Sequence, residues 1–119
     1  MSKIVIIDDE TDVLRTVKGY LEDFGFSTIE IYDILPDQIP KADVYIVDAM
    51  HGDELVGPNS VKKIRIMHGP IKIIGMSGDL MQKPDGDLTV KQHFDKAGAN
   101  AQWDKDDYEK LIKIINSEE

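Results

Sequence analysis

The stretch KIVIIDDE, residues 3–10, decides the fold of this 119-residue chain. Four β-branched residues follow Lys3 without interruption. A short, continuous β-branched run is typical of a strand that is buried on both faces of a parallel sheet. We therefore predict the first strand over Lys3–Asp8. Two more acidic residues, Asp9 and Glu10, come next, so this strand leads into a negatively charged loop.

The remaining strands are predicted from short apolar runs that alternate with stripes of helical period. They are expected at Ser27–Ile31, Asp43–Val47, Ile71–Met76 and Ala101–Trp103. Between the second and third strands, Pro36 and Pro40 limit any helix to about a turn or two.

The helices are predicted from apolar residues three and four positions apart. The first runs from Asp12 to Gly25 with Phe24 inward, capped by Thr11 or Asp12. The next begins at Asn59 or Ser60 and ends at His68, with Val61, Ile64 and Met67 inward. Another covers Leu88–Ala97, with Asp87 as a candidate cap and Gly98 as its stop. The last begins near Asp106 or Asp107 and buries Tyr108, Leu111, Ile112 and Ile115.

Strands that alternate with helices predict a parallel α/β sheet with right-handed crossovers and helices on both faces. We expect one domain over residues 1–119, because 119 residues is close to the common size of a single domain. Both usual doubly wound layouts place ligand sites at the carboxyl ends of strands, where the strand order reverses.

Composition excludes several classes of function. The chain has no cysteine, which rules out disulfides, thiolate metal sites and thiol catalysis and is consistent with a reducing cytoplasm. Its 14 Lys and Arg residues against 23 Asp and Glu give a net charge of −9, which disfavours nucleic-acid binding. The sequence lacks an apolar run long enough to span a membrane and a signal-peptide pattern, so we expect a cytoplasmic protein without a membrane partner.

Acidic and polar residues follow the predicted strands. Asp8 and Asp9 end the first strand, Asp48 ends the third, Ser77 follows the fourth, and Lys105 follows the fifth. In a sheet of order 2-1-3-4-5 the first and third strands are neighbours, which brings the three carboxylates together at the switch point. Because like charges repel, such a cluster holds protons or recruits a cation. Oxygen ligands of this kind suit Mg²⁺.

This set of residues predicts phosphoryl transfer onto Asp48. Its carboxylate is a nucleophile, the metal offsets charge on an incoming phosphoryl group, and Lys105 and the Ser77 hydroxyl can bind the remaining oxygens. The chain is then expected to catalyse at most its own phosphorylation and dephosphorylation.

Four motifs in order resemble the receiver domain of bacterial two-component response regulators. They are Ile6-Ile7-Asp8-Asp9-Glu10, Tyr45-Ile46-Val47-Asp48, Gly75-Met76-Ser77-Gly78 and Lys105. The resemblance spans essentially the whole chain and implies a flavodoxin-like sheet of order 2-1-3-4-5. It implies that Asp48 accepts a phosphoryl group from a histidine kinase or phosphotransfer protein, and that a downstream protein target reads the result. It also implies Mg²⁺ on Asp8, Asp9, Asp48 and the Met50 carbonyl, with Ser77 as the switch and Lys105 paired to the phosphoryl group.

The chain departs from that family near the switch. Gln102 stands where the family usually has an aromatic residue, Asp106 where it has proline, and Leu80–Gly86 is an extra loop segment. These departures leave open a receiver-like interaction module that no longer switches on phosphorylation. If the domain does switch, they favour output through Leu80–Asp87 and the helix after it.

Two other functions fit the residues less well. A flavin or nucleotide carrier would need a phosphate-cradling loop after the first strand, and residues 8–12 repel anions unless a metal is present. A phosphatase with an aspartyl nucleophile would need a second carboxylate two positions after the first, and Asp8 with Glu10 meets that only crudely.

Overall fold

The computed structural model describes residues 2–117, which form seven strands and four helices. In chain order these are β1 (Lys3–Ile7), α1 (Thr11–Asp23), β2 (Thr28–Tyr32), β3 (Val44–Asp48), β4 (Met50–His51), β5 (Glu54–Leu55), α2 (Gly57–His68), β6 (Lys72–Met76), α3 (Val90–Ala97), β7 (Ala101–Trp103) and α4 (Tyr108–Asn116).

Five of the strands form one parallel sheet in the order β2-β1-β3-β6-β7. This order confirms the predicted flavodoxin-like, doubly wound fold. The two remaining strands, β4 and β5, pair only with each other as a small antiparallel hairpin directly after β3. The strand order reverses between β1 and β3, so the carboxyl ends of these two strands border the crevice where such sheets bind ligands.

The core has two layers because successive side chains of each strand point to opposite faces. Ile4 and Ile6 pack in the layer with α1 and α4, whereas Val5 and Ile7 pack in the layer with α2 and α3. All four side chains are buried. The first strand is therefore buried on both faces, as its β-branched run predicted.

The strand bounds agree with the predicted ones to within one residue. For example, β2 and β3 each begin and end one residue later than expected. Residues 33–43, between these strands, contain no helix. Pro36 and Pro40 would have allowed a helix of about a turn or two here, but none forms, and this segment is an irregular crossover.

Three of the predicted helix starts were wrong. α1 is preceded by Glu10 rather than Thr11 or Asp12, and no side chain caps it. α2 begins at Gly57 with Pro58 in its first turn, where a missing backbone N–H costs nothing. α3 begins two residues after Leu88 behind a capping box, in which the side chains of Thr89 and Gln92 each accept a hydrogen bond from the other's backbone N–H.

The last helix starts as predicted. The Asp107 carboxylate accepts a hydrogen bond from the backbone N–H of Glu109 and caps α4.

Two side chains predicted to face inward are exposed. Phe24 lies just after the last residue of α1 and is 52% exposed, although its ring still contacts that of Tyr20. Met67 is 61% exposed, because the inward stripe of α2 continues from Ile64 to His68, whose ring stacks on Tyr45. None of the helices within residues 2–117 has the length and apolar character needed to cross a bilayer.

Candidate functional site

Three carboxylates meet at the switch point of the sheet. Asp48 is the last residue of β3, and Asp8 follows β1, which pairs with β3 up to Ile7 and Val47. Asp8 is 1% exposed and Asp48 is 9% exposed, while Asp9 is half-buried. One oxygen from each of the three carboxylates lies within 4.8 Å of the others. The topology thus brings together the residues that the sequence placed at the two strand ends.

Lys105 reaches this cluster from the loop after β7, an edge strand of the sheet. Its Nζ lies 2.7 Å from Asp48 Oδ1 and 3.1 Å from Asp8 Oδ2. Lys105 has a φ of 64°, the one positive φ of a non-glycine residue within residues 2–117. Such a conformation costs about 1–2 kcal/mol for a residue with a Cβ. The strained turn two residues after β7 directs the ammonium toward the carboxylates, even though Asp106 follows it in place of proline.

Backbone groups hold two of the carboxylates in place. The N–H of Glu10 donates to Asp8 Oδ1 at 2.9 Å, and the N–H of Gly52 donates to Asp9 Oδ2 at 3.0 Å. Gly52 lies at the tip of the β4–β5 hairpin with a φ of 61°, a conformation that glycine adopts without strain. The hairpin therefore contributes to the position of Asp9, a role that was not predicted from the sequence.

The start of α2 fixes the backbone around Asp48. The N–H groups of Val56 and Gly57 both donate to the carbonyl of Ala49, at 2.9 and 2.8 Å. A Cβ on Gly57 would lie 2.4 Å from the Asp48 carbonyl oxygen, so only glycine allows this close approach. The role of Gly57 was not predicted from the sequence, although a glycine directly before a proline at a helix start was a visible signal.

Burial raises the pKa of both strand-end carboxyls. The pKa of Asp48 rises from 3.8 to about 6 because burial disfavours its charged form, and Lys105 offsets part of this rise. Burial also raises the pKa of Asp8, while the Glu10 N–H and Lys105 lower it. Burial lowers the pKa of Lys105, but its hydrogen bonds and charge interactions with Asp48 and Asp8 together outweigh that effect, so the net shift is upward.

The donor set fits a hard divalent cation. With every group ionised, three carboxylates face one ammonium, which leaves two negative charges uncompensated. All the available ligand atoms are oxygens, as Mg²⁺ prefers. A cavity of about 170 Å³, which we call the acidic cavity, opens beside the carboxylates and is also lined by Met50. The structure thus places Met50 beside the three carboxylates that were predicted to hold a metal with it.

Ser77 lies at the same edge of the sheet as the carboxylates. It is buried just after β6, and its N–H donates to the carbonyl of Trp103 at 3.1 Å. Its Oγ accepts the N–H of Asp79 at 3.1 Å. Within residues 2–117, Ser77 has no hydrogen bond to the acidic cluster. Its hydroxyl instead anchors the first turn of the long loop over residues 78–89.

Successive side chains of β7 point to opposite faces of the sheet. Gln102 donates to the carboxylate of Asp95 on α3. Trp103 is buried on the other face, where its Nε1 donates to the carbonyl of Asp107 at 2.8 Å. Trp103 therefore does not occupy the place of the missing aromatic residue, and a polar contact joins β7 to α3 there.

No protein-family model and no curated protein sequence matches the chain. Solved structures do match its fold. The Vibrio cholerae chemotaxis protein CheY4 has a TM-score of 0.76 at 23% identity, and the match covers 95% of this chain and 94% of that protein. The receiver domain of the histidine kinase CKI1 from Arabidopsis thaliana, solved with Mg²⁺, has a TM-score of 0.72 at 21% identity over 97% and 92% of the two chains.

A third neighbour is a response regulator from Burkholderia pseudomallei, solved with a phosphorylated aspartic acid, a calcium ion and citrate. Its TM-score is 0.77 at 16% identity, and the match covers 98% of this chain and 68% of that one. All three matches extend over nearly the whole of this chain. The chain therefore has the fold of response regulator receiver domains.

Proposed function

We propose that this chain is the phosphoryl-accepting domain of a two-component phosphorelay. In this proposal a histidine kinase or a phosphotransfer protein donates the phosphoryl group, and Asp48 accepts it. The observation that carries the proposal is the cluster of Asp8, Asp9 and Asp48 within 4.8 Å, with the Lys105 ammonium 2.7 Å from the acceptor carboxylate.

The transfer is a nucleophilic substitution at phosphorus. An oxygen of the Asp48 carboxylate attacks the phosphorus of a phosphohistidine, and a P–O bond forms as the P–N bond breaks. The electron pair of the broken bond stays on the imidazole nitrogen, which takes up a proton. A pKa of about 6 leaves most Asp48 carboxyls ionised, and thus nucleophilic, at neutral pH. Lys105 can move from Asp48 Oδ1 to the new phosphoryl oxygens, since its ammonium carries three donors.

The residues that would hold Mg²⁺ are Asp8, Asp9, Asp48 and the Met50 carbonyl. When bound, the ion supplies positive charge that offsets the negative charge of the carboxylates and of the transferring phosphoryl group. Two of the structural neighbours support this assignment by analogy: one is a receiver domain with Mg²⁺, and another holds a calcium ion and a phosphorylated aspartic acid.

Ser77 gives the proposal a route to a downstream protein target. Its Oγ now accepts a hydrogen bond from the Asp79 N–H, and a phosphoryl group on Asp48 would offer it a new, negatively charged partner. If the hydroxyl moves to that partner, the first turn of the loop loses its anchor. The loop contacts α3 through hydrogen bonds from the N–H groups of Val90 and Lys91 to the carbonyls of Gln82 and Leu80. We infer that these elements change together and form the surface that a target reads.

One observation favours a second candidate, the interaction module that no longer switches. The hydrogen bond between Gln102 and Asp95 joins β7 to α3 where the family usually has an aromatic side chain. Under this alternative Asp48 still accepts a phosphoryl group, but residues 78–97 stay unchanged.

A small phosphodonor tests the proposed function directly. Wild type incubated with acetyl phosphate and Mg²⁺ should gain the mass of one phosphoryl group in an intact-mass spectrum, and chelation by EDTA should suppress the gain. Asp48→Asn should show no gain, while Asp53→Asn, which changes an exposed acid in the nearby hairpin, should behave as wild type. Equal modification of the wild type and Asp48→Asn would refute Asp48 as the acceptor.

A further inference from the structure

The acidic cavity extends beyond the carboxylates used in the proposed reaction. Its outer wall is formed by the segment after β2, which contributes Asp33, and by the first turns of α2, which contribute Lys63. Four carboxylates line the cavity in all. Lys63 supplies the one ammonium group among its lining residues within residues 2–117.

Lys63 differs from Lys105 in being free to act on a ligand. Lys105 is half-buried, forms ion pairs with both Asp8 and Asp48, and lies outside the lining of this cavity. Lys63 is exposed, and within the described part of the chain it forms no ion pair. Its neighbour Lys62 is also exposed but does not line the cavity.

We propose that Lys63 is a specificity-determining residue that attracts the phosphoryl group of small anionic donors, such as acyl phosphates, into the acidic cavity. Asp33, on the same wall, repels such a phosphoryl group. The inference rests on the proposed function, because it concerns how donors reach Asp48. A cleft lined by charges focuses their field and changes the local concentration of a charged substrate. In a cavity whose other charged walls are carboxylates, a single ammonium has a large relative effect on a dianion.

Rates of phosphorylation by acetyl phosphate test the inference, with each variant paired to a control that makes the same change of net charge. Lys63→Gln is compared with Lys62→Gln, and Asp33→Asn with Asp37→Asn, an exposed residue outside the lining. At an ionic strength of about 0.05 M, we expect Lys63→Gln to be about two- to fivefold slower than its control. Asp33→Asn should be about twofold faster than its control.

Two further measurements separate this effect from a structural one. In about 0.5 M NaCl the screening length is short, so each variant should converge on its control. Phosphoramidate carries less negative charge than acetyl phosphate, so Lys63→Gln should slow phosphorylation by phosphoramidate less than phosphorylation by acetyl phosphate. Melting temperatures of all four variants should match that of the wild type, because every substituted side chain is exposed.

The outcomes distinguish this inference from the proposed function. Equal rates for Lys63→Gln and Lys62→Gln, in a wild type that is phosphorylated on Asp48, would overturn the role of Lys63 and leave the proposed function intact. A slowing that persists in high salt or is equal for both donors would also overturn it. A wild type that takes no phosphoryl group from acetyl phosphate with Mg²⁺ would refute the proposed function and this inference with it.

Discussion

Replacing Asp48 with asparagine should change how the stability of the metal-free protein depends on pH. The pKa of this carboxyl is about 6 in the folded protein, against an ordinary value of 3.8. Between these two values the folded state holds the proton more often than the unfolded state does. Stability therefore falls as pH rises through this window.

The size of the effect follows from the shift. A difference of about 2.2 pKa units corresponds to about 3 kcal/mol once the group is ionised in both states. Roughly 2–2.5 kcal/mol of this lies between pH 4 and pH 7.5, because the unfolded carboxyl is already partly ionised at pH 4. Asparagine does not titrate, so the variant should lack this part of the pH dependence. The interaction of Asp48 with Lys105 is already included in the pKa of about 6, so it adds no separate pH dependence.

Urea unfolding in EDTA, followed by circular dichroism at pH 4, 5, 6 and 7.5, measures this difference. From the lowest to the highest pH, the wild type should lose about 2 kcal/mol more unfolding free energy than Asp48→Asn does. Asp37→Asn serves as the control, because Asp37 is exposed, and should follow the wild type. Parallel curves for the wild type and Asp48→Asn would refute the argument that burial destabilises the ionised Asp48.

Three other predictions follow from the site and its surroundings. Asp9→Asn should melt higher than the wild type in EDTA, because it removes one of three crowded charges. A hundredfold excess of Mg²⁺ over its Kd should add roughly 2.7 kcal/mol to the unfolding free energy of the wild type and less to that of Asp9→Asn. An unchanged Mg²⁺ response in the variant would place the ion elsewhere. Gly57→Ala should lower the unfolding free energy in urea by about 1–3 kcal/mol and slow phosphorylation, because its Cβ would overlap the Asp48 carbonyl. Gly19→Ala should cause neither change, because a Cβ at that position has open space. Equal urea midpoints for the two variants would contradict this. Beryllium fluoride, which mimics an aspartyl phosphate, should change amide exchange more over residues 78–97 than over β7, and the reverse pattern would show a switch in β7.

Much of the fold was predictable because the decisive signals are local and strong. The buried β-branched run at residues 3–7 leaves little choice but a central strand, and the alternation with helical stripes predicts a parallel sheet. The strand order, which the resemblance to receiver domains implied, brings Asp8 and Asp48 together because it makes β1 and β3 neighbours. The proximity of the carboxylates thus follows from topology and needed no knowledge of side-chain contacts.

The parts that escaped prediction depend on contacts distant in the sequence or on very short elements. The β4–β5 hairpin has two residues in each strand, too few for a periodic pattern, yet it supplies the Gly52 N–H that binds Asp9. The direction of the Lys105 side chain depends on a positive φ that lysine rarely adopts. The capping box of α3 is different, because the spacing of Thr89 and Gln92 already matches that motif in the sequence.

Locating the phosphoryl group on the chain tests the central claim most directly. After reaction with acetyl phosphate and Mg²⁺, borohydride reduces an aspartyl phosphate to homoserine, and peptide mass spectrometry then identifies the converted residue. We expect homoserine at position 48 in the wild type and aspartate at positions 8, 9 and 53 of the same sample. Homoserine at any of those other positions, or aspartate at position 48 in a protein that has gained a phosphoryl group, would contradict the assignment of Asp48 as the acceptor.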